Sequence, residues 1–512
     1  MIKTIRPLVF LPTFLILAAA LILSLVDLDT FIKVTGNLNS SILKHFSWLF
    51  SLGSFYLLGL VVLTYFSKLG TVRIGGDGSE PMIKKPQWFM IVLCTTFAVG
   101  VLFWTTAEPI YHLHAPPASF GIEAASPNAT LFAFSAMFLH WGPTPYAIYC
   151  VPGLIFALAF HNLKMPFSIS SSLRPAFGRF ITPVMADIID SLALYSLVVG
   201  MASSLGTGVL TLLGGISQYI DIERNALTLG IITAIIVGTF ILSAISGLIK
   251  GIARLSNINF WMLIALFVFI FICGPTLYIL SIGVEGLGAF LQSFFRLSLF
   301  TGQAANDPWP QWWSVFYWAV WFAWAPITAM FLGKISRGYT VKEFIQINVI
   351  YPSLFVFLWI SVFSGTAIFM DTQSAGKLYD VLNNEGIEQL LYYIMNDLPF
   401  SAVTSFFLVL IAFISYVTAA DSSTDAIGDL CTKNFTSESD AKTSLPIKIL
   451  WGTLIGLVSW IMISTVGIDG VKKLSYLGGL PATLIILACS ATLILWIKNP
   501  GLVSVTSKNN KE

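Results

Sequence analysis

The sequence predicts an all-α integral membrane protein with twelve transmembrane helices. Of its 512 residues, 56% are hydrophobic and only 10% are charged, and the mean hydropathy is +0.84. A soluble protein cannot bury so much apolar surface. Continuous runs of about 20 apolar residues are long enough to cross a bilayer as helices. The chain leaves no room for a soluble domain.

Twelve segments meet this length and composition. The first follows Lys3 and Arg6 and could mimic a signal peptide, but its apolar stretch is longer than the usual signal core of about 7–15 residues. We therefore count it as a helix. The predicted spans are 7–27, 46–66, 88–107, 128–160, 184–214, 226–247, 258–281, 311–333, 343–370, 402–420, 446–468 and 475–497.

The distribution of basic residues predicts the orientation. An even number of spans places both termini on one side of the membrane. With the termini in the cytoplasm, about three quarters of the 27 Lys and Arg residues are cytoplasmic, as the positive-inside rule requires. We expect a multi-pass protein of the cell inner (plasma) membrane, surrounded by lipid. The net charge of +2 gives no indication of a nucleic-acid partner.

Two predicted spans contain features that interrupt helices. Cys94–Pro109 has a Thr pair, Gly100 and a Glu-Pro end, and Trp318–Gly333 has Pro326 in its middle. Paired interrupted helices in matching positions indicate a midplane binding site between inverted repeats. The repeats would be helices 3–7 and helices 8–12, after two extra N-terminal helices. Ser281–Leu299 is amphipathic and predicts an interfacial helix between the repeats.

This organisation divides the chain into five parts. They are an N-terminal tail with two extra helices (1–87), a first five-helix repeat (88–281), an interfacial helix with an outer loop (282–310), a second repeat (311–497) and a short cytoplasmic tail (498–512).

Catalytic and metal-binding patterns are missing from the sequence. The five cysteines are scattered and have neither disulfide nor metal spacing. The nucleophile elbow G-x-S-x-G, the zinc motif H-E-x-x-H and the P-loop do not occur. We expect neither an enzyme nor a cofactor, apart from a transported coupling ion. Glu108 is expected to be structural. The five histidines have no metal spacing within one helix, and a proton-linked role is the alternative for His140, which adjoins Trp141.

Aromatic residues concentrate in two spans. Six tryptophans lie between Trp309 and Trp324, and a second cluster runs from His140 to Tyr149. Trp309, Trp312 and Trp313 precede their span and are typical of an interfacial belt. Trp321 lies well inside the span, where aromatic faces can bind a quaternary ammonium that has no N–H to donate to a hydrogen bond. The alternative is ordinary packing between helices, which we also expect for Phe316.

Seven motifs, in order over more than 300 residues, resemble one transporter family. The sequence resembles the betaine/carnitine/choline transporter (BCCT) family. The motifs are FWTTAEPIYH (103–112), HWGPTPYAIY (140–149), GMASSLGTG (200–208), SGLIKGIARLSNIN (246–259), GPTLYIL (274–280), FYWAVWFAWAPITAMFLGKISRGYTVKEFI (316–345) and TAADSSTDAIG (418–428).

The resemblance implies a LeuT-type fold of two inverted five-helix repeats, alternating access and a homotrimer. It also implies an aromatic box for an onium headgroup, formed by Trp141, Tyr146, Tyr149 and Trp321, with Trp324 in the neighbouring gate or exit path. On a continuous helix with 100° per residue, the first three rings fall on one side. Where several betaine transporters of the family carry Trp, this chain has Tyr146, and where the family often has a Trp pair it has Val320–Trp321.

For the coupling ion, the resemblance points to backbone oxygens between Cys94 and Phe97 and to the hydroxyl of Thr418. The family's sodium-coupled members have a Thr-Ser pair where this chain has Thr418–Ala419, and Thr95, Thr96 and Ser415 are the candidates to replace the missing hydroxyl. We expect a sodium-coupled importer of glycine betaine, or of choline, carnitine or dimethylsulfoniopropionate. A proton-coupled transporter, an ion-independent exchanger and an onium sensor that does not transport are the alternatives.

Overall fold

The computed structural model describes residues 5–97, 99–245, 249–433 and 445–505. The last residues of the predicted span 226–247 and the tail after residue 505 lie outside this part. Within it the chain is helical, and its only β-type pairings are two isolated bridges. The helices are α1 (Pro7–Val26), α2 (Leu28–Phe66), α3 (Lys85–Thr96), α4 (Val99–His114), α5 (Pro127–Trp141), α6 (Pro143–His161), α7 (Arg174–Phe177), α8 (Pro183–Ile216), α9 (Ala226–Ile245), α10 (Ile249–Cys273), α11 (Thr276–Ser298), α12 (Trp309–Trp312), α13 (Ser314–Lys334), α14 (Val341–Ile345), α15 (Tyr351–Gln373), α16 (Lys377–Asn384), α17 (Ile387–Asn396), α18 (Ser401–Cys431), α19 (Leu445–Thr465) and α20 (Ile468–Lys498).

Twelve helical segments are long and apolar enough to cross a membrane, and the bent pair α3–α4 makes a thirteenth candidate. This confirms an all-α multi-pass membrane protein. The twelve include α11, which the sequence analysis places at the interface, and leave out the bent pair, which it counts as the third span.

The predicted interruption of the third span is confirmed. α3 and α4 meet at an angle of 59° at the break that follows Thr96. The predicted interruption within Trp318–Gly333 is wrong, because α13 runs through Pro326 without a break. A proline removes one helical hydrogen bond, and close packing by neighbouring helices makes this tolerable in a membrane. The chain leaves helical geometry earlier, at Trp313 (φ −124°, ψ −79°).

The fourth span is also broken, at Gly142 between α5 and α6. Its backbone (φ −85°, ψ −139°) departs from the helix, and a β-carbon there would lie 2.3 Å from the carbonyl oxygen of Phe138. Pro143 starts α6 directly afterwards, where a proline needs no helical hydrogen bond. Trp141 and Tyr149 therefore belong to two helices, and the calculation for one continuous helix is wrong.

The packing of the helices fits a two-fold repeat. If helices 3–7 correspond to helices 8–12, α4 corresponds to α13, α6 to α15, α8 to α18, α9 to α19 and α10 to α20. The helix pair α13–α6 then corresponds to the pair α4–α15, and both pairs are in contact. In the same way, the contacting pair α8–α20 corresponds to the contacting pair α18–α10. α8 also packs on α18, and α9 packs on α19. In each of these two pairs, the two-fold symmetry exchanges one helix with the other.

Side-chain contacts gather the predicted cytoplasmic ends at one face of the bundle. Arg6 reaches Asp190 at the start of α8, and one of its N–H groups donates to the carbonyl of Leu430 at the end of α18. Lys334 at the end of α13 pairs with Asp429 at 2.8 Å. Residues 190 and 334 therefore lie at the same face, so the chain crosses an even number of times between them. If α8, α9, α10 and the α12–α13 segment are the four crossings, this count favours a position of α11 that does not cross.

The contacts at the two ends of α11 agree with this count. The ring of Tyr278 lies 5.1 Å from that of Phe369, and the guanidinium of Arg296 lies 3.9 Å above the ring of Phe120. Phe369 and Phe120 belong to the opposite face, which is the predicted outer one and where His114 and Asp371 meet at 2.6 Å. These contacts favour the predicted interfacial position, with the helix beginning at Thr276 instead of Ser281. The position of α11 in a bilayer stays a prediction.

We expect Arg6→Met to destabilise the protein by about 3–5 kcal/mol, because it leaves the fully buried carboxylate of Asp190 without its cation. In the wild type, Arg6 Nη2 lies 2.6 Å from both Asp190 Oδ2 and Asp187 Oδ1. The thermal-unfolding midpoint in detergent measures the loss. Arg174→Met is the matched control, because Arg174 lines the same cleft as Arg6 and Asp187 but has an exposed side chain. Equal midpoints for the two variants would contradict the expectation.

Candidate functional site

A cavity lies in the middle of the bundle, where the breaks of the third and fourth spans face α8, α13 and α20. Its free volume is about 600 Å³, including the part that is open to solvent. The walls are aromatic rings and hydroxyl groups, with no charged side chain among the lining residues. The cavity is lined by Thr95, Thr96, Gly100, Val101, Trp104, Trp141, Tyr149, Ser203, Ser204, Thr207, Phe316, Tyr317, Val320, Trp321, Trp324 and Val471.

Trp321 is the centre of the aromatic group. Its ring centroid lies 5.8 Å from that of Trp141, 5.6 Å from that of Tyr146 and 5.1 Å from that of Tyr149, with interplanar angles of 75°, 59° and 59°. The structure thus brings together the four residues of the predicted box. Because the rings meet at steep angles, their faces form a concave corner in place of a flat stack. A cation within about 6 Å of several faces would be attracted by each.

Tyr146 differs from the other three box residues. It is buried beside Trp321 but is not among the residues that line the cavity. Its contribution to the site is to support the ring of Trp321 from behind. The positions of Trp141, Tyr149 and Trp321 agree with a direct role in binding, which stays a prediction.

Trp324 closes the cavity towards α8, as expected of a residue next to the box. Its indole N–H donates to the carbonyl of Gly200 at 3.1 Å and to the hydroxyl of Ser204 at 3.0 Å. A β-carbon at Gly200 would lie 3.1 Å from Ala323 Cβ and 3.2 Å from Trp324 Cδ1. The glycine therefore lets α8 and α13 approach closely enough for this contact.

Sequence reasoning missed Trp104 and Tyr317 and placed Phe316 in the core, whereas all three line the cavity. The ring of Trp104 lies 5.5 Å from that of Phe316 and 6.1 Å from that of Tyr317. All three residues lie within the family motifs quoted above, and their place in these motifs is the signal from which the sequence could have predicted a position at the cavity. The interfacial-belt prediction is wrong for Trp309 and Trp313, which are buried against His112.

A fully buried carboxylate lies behind this wall. Glu108 Oε2 accepts hydrogen bonds from the indole N–H of Trp141 (3.0 Å) and the hydroxyl of Tyr317 (2.5 Å). Glu108 Oε1 lies 2.6 Å from His140 Nδ1 and 3.1 Å from His112 Nε2. The ligand atoms of Glu108, His112 and His140 lie within 4.8 Å of one another, a metal-like grouping that spacing within one helix could not reveal.

The residues predicted for ion binding are only partly brought together. Asn259 on α10 joins two of them: its amide donates to the hydroxyl of Ser415 at 3.0 Å and lies 3.8 Å from Cys94 Sγ. Phe97 caps α3 at the break. The hydroxyl of Thr418 donates to the carbonyl of Ile414 in its own helix at 2.8 Å. The hydroxyl oxygen of Thr418 can still accept a hydrogen bond or coordinate a cation. Sodium binding at these residues stays a prediction.

A lysine lies beside one of the residues that line the cavity. Lys472 Nζ lies 5.1 Å from the ring centroid of Trp313 and 5.6 Å from that of Phe316, which lines the cavity. Within the described residues it forms no ion pair with a carboxylate. The ammonium group therefore rests on aromatic faces beside the cavity.

Comparison with known proteins identifies the family. The family model described as "BCCT, betaine/carnitine/choline family transporter" matches residues 8–501. The chain is 30% identical over 448 residues to the ectoine/hydroxyectoine transporter of Virgibacillus pantothenticus, covering 88% of each chain. It is 31% identical over 430 residues to a probable glycine betaine transporter of Desulfitobacterium hafniense, covering 84% of each. It is 29% identical over 482 residues to a glycine betaine transporter of Bacillus subtilis, covering 93% of this chain and 92% of that one.

Among solved structures, a Na⁺-coupled sialic acid symporter is similar to 91% of this chain and 83% of its own, with 14% identity and a TM-score of 0.43. That likeness is too low to support a conclusion. The family match is decisive because it covers nearly the whole chain, and the related proteins are named as transporters, as expected for a chain that is not an enzyme. The protein is a membrane transporter of the betaine/carnitine/choline (BCCT) family.

Proposed function

We propose that this transporter imports a small zwitterionic onium compound by alternating access, with glycine betaine as the leading substrate. The observation that carries the proposal is the position of Trp321, whose ring meets Trp141 and Tyr149 at the wall of a central cavity. Each cation–π contact contributes about 0.5–2 kcal/mol when it is desolvated, so several are needed for useful affinity. The names of the relatives support the same class of substrate.

Polar groups in and beside the cavity favour a zwitterion over a plain cation such as choline. The indole N–H of Trp321 and the hydroxyl of Thr95 have no hydrogen-bond partner within the described residues, and both residues line the cavity. Lys472 lies beside Phe316. Phe316 precedes Trp321 by five residues, about 7.5 Å along the helix axis. A short zwitterion would fit between them, with its onium group on Trp321 and its carboxylate towards the lysine.

For energy coupling we propose symport with sodium. The break after Thr96 frees backbone carbonyls, and hard cations prefer oxygen ligands. Ser415 and Thr418 on α18, which packs on α3, supply hydroxyls. Proton coupling, ion-independent exchange and a sensor that does not transport are the alternatives. A homotrimer in the plasma membrane with both termini in the cytoplasm completes the proposal.

Uptake of radiolabelled glycine betaine into proteoliposomes tests this function. We expect accumulation under an inward sodium gradient and none with a matched potassium gradient. Uptake driven only by a proton gradient, or only by internal substrate, would replace sodium with the corresponding alternative. Binding without any accumulation would identify a sensor.

We expect Trp321→Ala to weaken glycine betaine binding at least about tenfold, because the variant removes the ring at the centre of the box. Equilibrium binding to the purified protein in detergent is the measurement. Trp312→Ala serves as the control, since Trp312 is 57% exposed and does not line the cavity. Equal affinity of Trp321→Ala and wild type would remove this residue from the site.

We expect Lys472→Met to weaken glycine betaine binding several-fold and to leave choline binding unchanged or stronger. Methionine keeps an apolar stem on Trp313 and Phe316 but removes the charge that would pair with a carboxylate. Competition by the two ligands gives the ratio of their affinities, and Lys473→Met is the neighbouring control. An equal loss for both ligands would contradict a carboxylate-selective role for Lys472.

A further inference from the structure

The anion behind the aromatic wall has no function in the transport scheme above. Glu108 is completely buried, yet its Oε2 accepts hydrogen bonds from two residues whose rings line the cavity, Trp141 (3.0 Å) and Tyr317 (2.5 Å). A carboxylate in a site of low dielectric acts strongly on nearby charges. It also polarises the indole and the phenol whose N–H and O–H it accepts.

The hydrogen bonds are compatible with a net negative charge on the cluster when both histidines are neutral. With neutral histidines, His140 Nδ1–H and His112 Nε2–H donate to Glu108 Oε1, and His140 Nε2 accepts from the hydroxyl of Ser314 at 2.8 Å. His112 Nδ1 is buried and has no partner. Protonating it would create a buried N–H without an acceptor, which costs more than a bare acceptor nitrogen.

Basic side chains do not cancel this charge at contact distance. In the described part of the chain, no Lys or Arg forms an ion pair with Glu108. Lys472 interacts electrostatically with Asp469 and Glu108 but forms no ion pair with either, and its ammonium group lies over the rings of Trp313 and Phe316. The carboxylate therefore faces the cavity through the rings of Trp141 and Tyr317.

We propose that Glu108 is a positioning residue for specificity, whose negative charge lets the box distinguish a cationic headgroup from a neutral one of the same shape. The inference rests on the proposed function, because it assigns a cation to the same box. The aromatic faces alone give part of the discrimination, and the buried charge adds to it across the wall. Removing the charge lowers the preference for the cation while the shape of the box is retained.

Glu108→Gln isolates the charge. The amide oxygen of glutamine can accept from Trp141 and Tyr317, and its N–H groups can donate to His140 Nδ1 and His112 Nε2 after both rings change tautomer. His140 Nε2–H then donates to the hydroxyl of Ser314, which accepts equally well. Trp141, Tyr317, His140 and Ser314 keep their partners, whereas His112 Nδ1–H becomes a buried donor without an acceptor, so we expect the variant to fold with lower stability.

The experiment compares glycine betaine with 3,3-dimethylbutyrate, in which carbon replaces the charged nitrogen and the carboxylate is kept. The ratio of their dissociation constants is measured on the purified full-length protein in detergent. We expect the preference for glycine betaine to fall at least about tenfold in Glu108→Gln. Tyr317→Phe, which removes one hydrogen bond and keeps the charge, should weaken both ligands to a similar degree.

An unchanged ratio in a folded Glu108→Gln variant would overturn the proposal, as would an equal loss for both ligands, which indicates a merely structural role. If Glu108→Gln does not fold, His112→Lys places a cation beside Oε1 without touching Trp141 or Tyr317, and the same drop in the ratio is expected.

If the wild type does not bind glycine betaine, the proposed substrate fails, and binding of tetramethylammonium to wild type and Glu108→Gln then tests the charge alone. Absence of tetramethylammonium binding to the wild type would overturn both proposals.

Discussion

Every break in a membrane helix leaves backbone N–H and C=O groups that lipid cannot satisfy, and this constraint explains where the binding cavity lies. Non-helical backbone is tolerated at membrane depth only where protein or a polar cavity surrounds it. The chain breaks its third span after Thr96, its fourth at Gly142 and its eighth at Trp313. All three breaks face the bundle interior, beside residues that line or border one cavity. The breaks allow side chains from several helices to converge there.

In the proposed mode of binding, the cavity would combine two kinds of attraction for a positive headgroup at different depths. Aromatic faces line the surface, and the carboxylate of Glu108 lies one residue layer behind, linked by hydrogen bonds to Trp141 and Tyr317. A carboxylate in the wall itself would bind any cation, including sodium. A carboxylate shielded by rings acts only through space, so shape selection by the rings is retained. The same hydrogen bonds hold α4, α5 and α13 together at the outer side of the cavity.

The region of the predicted ion site shows how one residue can alter a local network. Asn259 reaches both Ser415 and Cys94, and thus joins α10 and α18 to the helix that precedes the break. An amide supplies one acceptor and two donors, so it can satisfy these partners without a charge. Its carbonyl oxygen is also a suitable sodium ligand. The network is thus compatible with an ion close to the break.

The sequence by itself determined the helical membrane class, the break in the third span and the family, and the resemblance indicated the residues of the proposed box, whose role in binding stays a prediction. Apolar run length and ordered motifs are local properties, and the lipid environment permits few other structures. Only the tertiary structure decided that Tyr146 supports Trp321 from behind, that Phe316 lines the cavity, and that Pro326 does not break α13, because these depend on which helix packs against each residue. Glu108 illustrates the difference most clearly. Its partners His140, Trp141 and Tyr317 come from other helices, so its place as an anion behind the aromatic wall follows from packing that no spacing along the chain encodes.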